Sequence, residues 1–321
     1  MIWDALFSTL FLAAVLRVAT PLLLAAMGGL ISETAGVPNI TLEGSMLSGA
    51  CAGALVGGFT GNPWLGLIAA IVGGAIIGIL LGVLHLEFGA DPIIVGIGLN
   101  LLVAGFTTFI VFSLLGDKSG TSSLGRNLLP TIEPGPLAGI PFLGDVLLGQ
   151  HILTYVAFLV WAAVALLLAR ATFGVHLRAI GQNPLAAATA GISVKRLQYA
   201  AVIICGSLAG TAGAFLSMGY VSSFIRDMTA GRGFIALAAI FLGGMRPLGV
   251  GFAALAFGFF EALSIRLGNL DVPSQLVQTI PYIATLIGLG LFAWRETTRR
   301  RRGSGATGQR RRPVTPGADP A

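Results

Sequence analysis

Few side chains in this sequence could do chemistry, and those few do not gather. The histidines, His85, His151 and His176, stand far apart near the ends of apolar runs, whereas metal ligands come at short spacings. Cys51 and Cys205 each lie in an apolar stretch and read as small buried hydrophobes, not as a disulfide or metal framework. No Gly-x-x-x-x-Gly-Lys-Ser/Thr loop occurs, so the chain does not hold ATP by that route. An intramembrane enzyme would need a nucleophile or clustered ligands, and an ion-coupled carrier or channel a relay of carboxylates or histidines at depth. Neither pattern is visible. What remains is a set of polar residues in apolar surroundings. Asn39 and Glu43 stand at the entry of one apolar segment, Asn100 lies well inside another, and Phe234 and Met228 flank a third. A polar group in such a place is costly unless paired or wet. The Asn100 amide can bond a solute or join two helices, and the second use is the commoner. Glu43 is expected to cap or pair locally, and Arg17 to pair with a carboxylate such as Glu33 or Glu43. Phe234 is a candidate for the outer mouth of a pathway, where packing is the plainer role.

The elements that position these groups must lie in lipid. The 321 residues are 55% hydrophobic and 10% charged, with a mean hydropathy of +0.89, against about 25% charged in a soluble domain. So few charges cannot cover a water-facing surface. The 46 glycines follow no three-residue period, which excludes a collagen-like chain, and they let helices pack closely in lipid. The fold class that follows is all-α: a polytopic integral membrane helical bundle.

A bilayer core of about 30 Å takes about 20 apolar residues of helix. Segments that meet or approach this are 5–30, 45–60, 64–84, 93–115, 152–170, 197–217, 234–244, 248–264 and 276–294. That makes nine spans, with eight or ten as alternatives. Arg17 and Pro21 interrupt the first, where a kink or break is expected. The segments at 45–60, 234–244 and 248–264 are short or glycine-broken, and such elements survive only among other helices or beside a wet cavity. Glu43–Ala50 and Ile240–Met245 are weakly alike, which hints at a two-fold internal pseudo-repeat of the kind transporters use.

Basic residues set the orientation. Arg170, His176, Arg178, Lys195 and Arg196 follow the fifth span, and Arg295, Arg299–Arg302 and Arg310–Arg312 close the chain; both groups are expected in the cytoplasm. Nine spans then place the N-terminus outside. Asp4 precedes the first apolar run without a basic flank or a clear cleavage site, so no removable signal peptide is expected. The organisation expected is a transmembrane domain over 1–295, with halves 1–115 and 152–295, an external loop 116–150 and a cytoplasmic loop 171–196. A basic tail, 296–321, follows and is expected to be disordered. The net charge of +6 is concentrated in that tail, and no nucleic-acid partner is expected. Glu261 and Arg266 are expected near the outer end of the eighth span, facing a partner.

The loop 171–196 carries the strongest local pattern. Asn183 is a natural N-cap, and Pro184 suits the first helical position, where its missing N–H has no partner anyway. The alanines up to Ala190 favour helix and Gly191 can stop it. About two turns result, too short to stand alone. A short helix with small side chains suits docking into a groove on a partner; a plain inter-span loop with one helical turn is the alternative.

The order Gly181-x-Asn183-Pro184-x-Ala186-Ala187-x-x-x-Gly191-Ile192 resembles the coupling loop of permeases in ATP-binding-cassette (ABC) importers. The branch is that handling branched-chain amino acids, ribose-type sugars and nucleosides, and the nucleoside and simple-sugar permeases are most similar. Three further stretches carry the resemblance: Ala19-Thr20-Pro21-Leu22 through Gly36-Val37-Pro38-Asn39-Ile40-Thr41-Leu42-Glu43-Gly44, Gly89-Ala90-Asp91-Pro92 through Asn100, and Gly231-Arg232-Gly233-Phe234 through Pro247-Leu248-Gly249. It covers roughly residues 10 to 294. One departure stands out: an apolar residue or Asn is expected near Pro38, and a Gly near Thr41.

The resemblance implies a transport subunit and not an enzyme. Two permeases, identical or homologous, would form the pore in the bacterial inner membrane. Cytoplasmic ATPase subunits, which bind the ATP and Mg, would grip a coupling loop carrying Gly181, Asn183, Pro184, Ala186, Ala187 and Gly191. An extracytoplasmic binding protein would deliver a small polar solute, and the chain itself would need no cofactor or metal. Asn39, Glu43, Asn100 and Phe234 are the pathway candidates; on this reading Asn100 would meet a ribose hydroxyl or a base edge.

Overall fold

The computed structural model describes residues 9–117, 119–124, 128–131, 149–268, 283 and 290. Within them the chain is helical: α1 (Thr9–Thr34), α2 (Leu42–Thr60), α3 (Pro63–Gly82), α4 (Pro92–Leu115), α5 (Ile152–Arg170), α6 (Thr172–Gln182), α7 (Pro184–Thr189), α8 (Val194–Ala214), α9 (Arg232–Leu242) and α10 (Pro247–Leu267). Both α3 and α8 run on into a wider π-helical turn, Val83–Glu87 and Phe215–Tyr220.

A short polar residue followed by proline starts three of these helices. Asn62 accepts from the Trp64 N–H at 2.9 Å, Asp91 from Ile93 at 2.9 Å and Ile94 at 3.1 Å, and Asn183 from Ala186 at 3.0 Å. Each cap satisfies N–H groups that the first turn leaves free, and proline next in line gives up nothing.

Among the described residues, six helical runs are long and apolar enough to cross a membrane: Thr9–Thr34, Pro63–Glu87, Pro92–Leu115, Ile152–Arg170, Val194–Tyr220 and Pro247–Leu267. The sequence predicts nine. The helix α2 has 19 residues, but its glycines, serines and Glu43 dilute its hydropathy. The helix α9 has only 11 residues, about 16 Å or half a bilayer core. The segment 276–294 lies outside the described residues, as do the tail 296–321 and most of the loop 116–150. The break expected at Pro21 does not occur: α1 continues through it, and the neighbouring Thr20 hydroxyl donates to the Leu16 carbonyl at 2.7 Å. Likewise 248–264 belongs to an unbroken helix of 21 residues. The two segments compared as a repeat occupy opposite ends of their helices, since Glu43–Ala50 begins α2 whereas Ile240–Met245 ends α9.

The core is built around α1 and α8. Among the described spans Val194–Tyr220 and Thr9–Thr34 are the most buried, at 78% and 67%, while Pro92–Leu115 is only 22% buried and faces outward. Leu22–Met27, Leu30 and Ile31 of α1 are sealed from solvent, in one cluster with residues of α8, α9 and α10. On the far side of α8 the packing is glycine against glycine. A Cβ on Gly74 of α3 would strike the backbone of Gly206 and Gly210, and one on Gly213 the backbone of Met46 and Ala50 in α2. Small residues four apart let helices approach this closely in lipid. Cys51 and Cys205 are both free and buried, as their apolar settings predict.

Candidate functional site

The chain leaves α1 through a turn that only glycine enters without strain: Gly36 has φ +77°, the left-handed region. The Ser32 hydroxyl holds the turn by donating to the Val37 carbonyl at 2.8 Å. Asn39 is fully buried and spends its whole amide inside the protein. Its Oδ1 accepts from the Thr41 N–H at 2.9 Å and the Thr41 hydroxyl at 2.6 Å, and its Nδ2 donates to Cys205 Sγ at 3.1 Å. Its backbone N–H donates to Glu33 Oε1 at 3.3 Å. Asn100 of α4 grips the same turn from the other side: its Nδ2 donates to the Ile40 carbonyl at 2.9 Å and its Oδ1 accepts from the Gly44 N–H at 2.8 Å.

Glu43 then reaches across to the start of α9. One carboxylate oxygen accepts from the Gly231 N–H at 2.8 Å and the other from the Gly233 N–H at 2.7 Å. Gly231 again has a left-handed φ, +82°, and a Cβ on Gly233 would strike the Glu43 backbone. The first turns of α2 and α9 therefore abut, and one carboxylate neutralises the positive dipole end and free N–H groups of the second. The 11 residues of α9 carry this junction about 16 Å from Gly243, near half the depth of a bilayer core. Beside it, Arg232 binds Glu261 of α10 (Nη2–Oε1 2.6 Å, Nε–Oε1 2.8 Å), and Phe234 is about half exposed.

At the Gly243 end the same turn meets α6. Gly181 packs so tightly on the end of α1 that a Cβ would strike the Thr34 carbonyl, while a Cβ on Gly36 would press on Gly181 in return. The Arg178 guanidinium donates to the Leu168 carbonyl and pins α6 to α5. A groove of about 390 Å³ opens here, lined by Glu33, Thr34, Arg178, Gly181 and Arg246 among others. Next to it stands α7, closed by Gly191 at φ +80° and by the Ala190 N–H donating to Ala186 at 3.2 Å. Ala187 is buried beneath it, whereas Leu185 is 80% exposed. Backbone and side-chain contacts thus run unbroken from α7 through Gly181, Thr34 and Asn39 to Glu43 and α9.

The family described as "branched-chain amino acid transport system / permease component" matches residues 11–291. The chain belongs to this permease family. The guanosine ABC transporter permease protein NupQ of Bacillus subtilis is 35% identical over 302 residues, covering 89% of this chain and 93% of that protein. The nucleoside ABC transporter permease protein NupC of Lactococcus lactis is 32% identical, covering 88% and 92%. A protein of Haloferax volcanii, provisionally named as a glucose ABC transporter permease, is 33% identical, covering 87% and 90%. No solved structure matches the chain.

In this permease the residues picked from sequence fall into two groups. Asn39, Glu43 and Asn100 converge on the α2–α9 junction, where backbone groups take up their polar atoms, so their geometry is that of helix joinery. Phe234 stands at the same junction with its ring half exposed. Gly181, Asn183, Pro184, Ala186 and Gly191 share the surface at the Gly243 end, with Ala187 buried beneath them. Two expectations about charged residues fail. Arg17 pairs with neither Glu33 nor Glu43; Glu33 is about 24 Å away from it along α1, and both carboxylates accept backbone N–H groups instead. Glu261 does not face outward, because it is buried against Arg232. Arg266 lies over the Phe11 ring at 5.7 Å. Sequence reading missed Leu185, whose exposure was hidden by its place in an apolar run, and the Arg232–Glu261 pair. An arginine and a glutamate inside apolar helices are themselves a signal to look for such a pair.

Proposed function

We propose that this chain forms the solute pathway of an ATP-driven importer for a nucleoside or, next in order, a simple sugar. The relatives' names support the substrate class. The continuous contact path from α7 to the α2–α9 junction supports the mechanism. On this reading the Gly243 end is cytoplasmic, since Arg170, Arg178 and Arg246 line the cavities at that end and basic residues favour the cytoplasmic side. The protein then lies in the bacterial inner membrane with its N-terminus outside and its C-terminus in the cytoplasm.

ATPase subunits, holding ATP and Mg, dock on α7 through Leu185 and the surrounding small side chains, with Asn183, Pro184 and Gly191 fixing the helix they grip. When the ATPases close, α7 and α6 move as one piece, because Gly181 has no side chain to yield against Thr34. The displacement reaches the turn 35–41 and the paired starts of α2 and α9. A second permease, identical or homologous, completes the pore, and an extracytoplasmic binding protein delivers the solute. The chain needs two arrangements of similar energy, and the ATPases supply the bias between them.

The test is reconstitution of this chain with its ATPase, partner permease and binding protein in proteoliposomes, followed by uptake of radiolabelled guanosine and glucose. Uptake that requires ATP and the binding protein is expected. Uptake by this chain alone, without ATP, would overturn the reading.

A further inference from the structure

Between α5 and the start of α10 lies a second cavity, of about 880 Å³, separate from the polar junction. Ala162, Ala165, Leu166 and Leu248 give it apolar walls, and Arg170 and Arg246 stand at one end of it. Leu166 and Leu248 are 59% and 62% exposed, so in a membrane the slot opens to hydrocarbon. Arg170 is the last residue of α5 and Arg246 precedes Pro247 at the first position of α10. Both side chains are exposed, and among the described residues neither forms an ion pair. The N-terminus of α10 has no side-chain cap, so its free N–H groups add positive potential at the same place. Among the described residues no carboxylate lines this slot. Glu33 lines the neighbouring groove that Arg246 shares with Arg178.

We infer that this slot is a binding site for one anionic phospholipid, its phosphate held by Arg170 and Arg246 and an acyl chain laid along Ala162, Ala165, Leu166 and Leu248. Basic pockets between membrane helices recognise anionic head groups, and arginine suits phosphate because its planar fork gives paired hydrogen bonds. Two other occupants fit less well. A second copy seated symmetrically would bring its own Arg170 and Arg246 against these. A soluble partner has no reason to fill an apolar slot that faces hydrocarbon. The inference rests on the membrane embedding of the chain and not on its solute or its ATPase.

The test uses the purified full-length chain in detergent, with phosphatidylglycerol and phosphatidylcholine as probes, read by native mass spectrometry and by melting temperature. One phosphatidylglycerol should bind per chain, ahead of phosphatidylcholine, and raise the melting temperature. The double variant R170Q/R246Q should bind it about thirtyfold more weakly, on the order of tenfold or less for each arginine. R170K/R246K should retain much of the binding, and L166W, which fills the slot without touching the arginines, should lose it. Melting of each variant without lipid separates lost binding from lost folding. Equal binding of the two lipids, undiminished binding by R170Q/R246Q, or a dimer that forms through this face and expels lipid would each overturn the site.

Discussion

Glu43 and Gly233 stand 190 positions apart in sequence, yet the carboxylate of one accepts the backbone N–H of the other at 2.7 Å. The second oxygen of Glu43 takes the Gly231 N–H at 2.8 Å, so a single side chain fastens the start of α9 to the start of α2. Glu43→Gln keeps the shape but presents an NH₂ group to one of the two donors. With one partly buried N–H unpaired and a charged acceptor lost, the variant should be less stable by about 1.5–3 kcal/mol, measured as unfolding in mixed micelles. Gly233→Ala should be worse than Glu43→Gln, since its Cβ meets Glu43 backbone and not a movable side-chain end.

Asn100 separates a joint from a solute contact. Both halves of its amide are taken by Ile40 and Gly44, so Asn100→Ala should lower stability by about 2–3 kcal/mol through two orphaned backbone groups. Uptake should fall in proportion to the folded protein recovered. A normal melting temperature with a raised KM for uptake would instead mark Asn100 as a residue that touches solute.

How much of this was legible beforehand follows from the kind of signal each feature leaves. The starts of α3, α4 and α7 are written locally, as Asn62-Pro63, Asp91-Pro92 and Asn183-Pro184, because capping needs only the next few residues. The membrane class is written in composition. The partners of Glu43 and Asn100 are not local. Helices apolar on every side carry no periodic stripe to say which face packs, so Gly231 and Gly233 could be singled out but not joined to Glu43. Gly181 shows the same limit: the sequence marks it as a member of the loop pattern, and only the fold brought Thr34 against it. The short α9 was visible as a span of insufficient length, and its depth became clear once Gly243 and Gly231 were placed at its two ends.

The contact between Gly181 and Thr34 predicts uncoupling. Gly181→Val puts a branched side chain where a single Cβ already collides with the Thr34 carbonyl, so α6 must back away from α1. The chain should still insert, with a melting temperature lowered by the backbone clash, while solute-driven ATPase stimulation and uptake per folded protein fall at least tenfold. Leu185→Asp, on the exposed side of α7, should give the same phenotype by weakening ATPase binding, and co-purification of the ATPase distinguishes the two. Ala187 is a poor probe of docking, because it is buried and a larger side chain there would dislodge α7 itself.

His151 predicts a pH dependence at the opposite end of the bundle. Its ring caps α5 by accepting the Leu153 N–H at 3.3 Å and packs edge-on against Phe215. Its pKa is pushed down from 6.5 to about 4, chiefly by burial; a backbone contact with Leu129 opposes this and the charge of Arg17 adds to it. A histidine whose folded pKa lies below its unfolded value favours the unfolded state on protonation. Its contribution is whole above about pH 6.5 and drains away as the pH falls toward 4, by about 2 kcal/mol at pH 5. His151→Asn preserves a capping side chain and removes the titration. Its melting temperature should therefore change less between pH 7 and pH 5 than that of the native chain, and equal slopes would dismiss His151 as the cause.

Arg232 and Glu261 form the ion pair that flanks the α2–α9 junction, with contacts of 2.6 and 2.8 Å and side chains only 19% and 11% exposed. Arg232 also donates to the Met228 carbonyl at 3.0 Å, so it fixes the irregular approach to α9 as well as the helix itself. Removing one partner leaves a charge stranded in a place where water is scarce, and that is worth about 3–5 kcal/mol. Arg232→Met and Glu261→Leu should each be strongly destabilising, whereas the double variant should recover much of the loss because no unpaired charge remains. A coupling energy near zero in that double-mutant cycle would show that the two charges are solvated independently. If the double variant folds but transports poorly, the pair serves to keep α9 aligned with α2 as the junction moves. Full transport by the double variant would confine its role to stability.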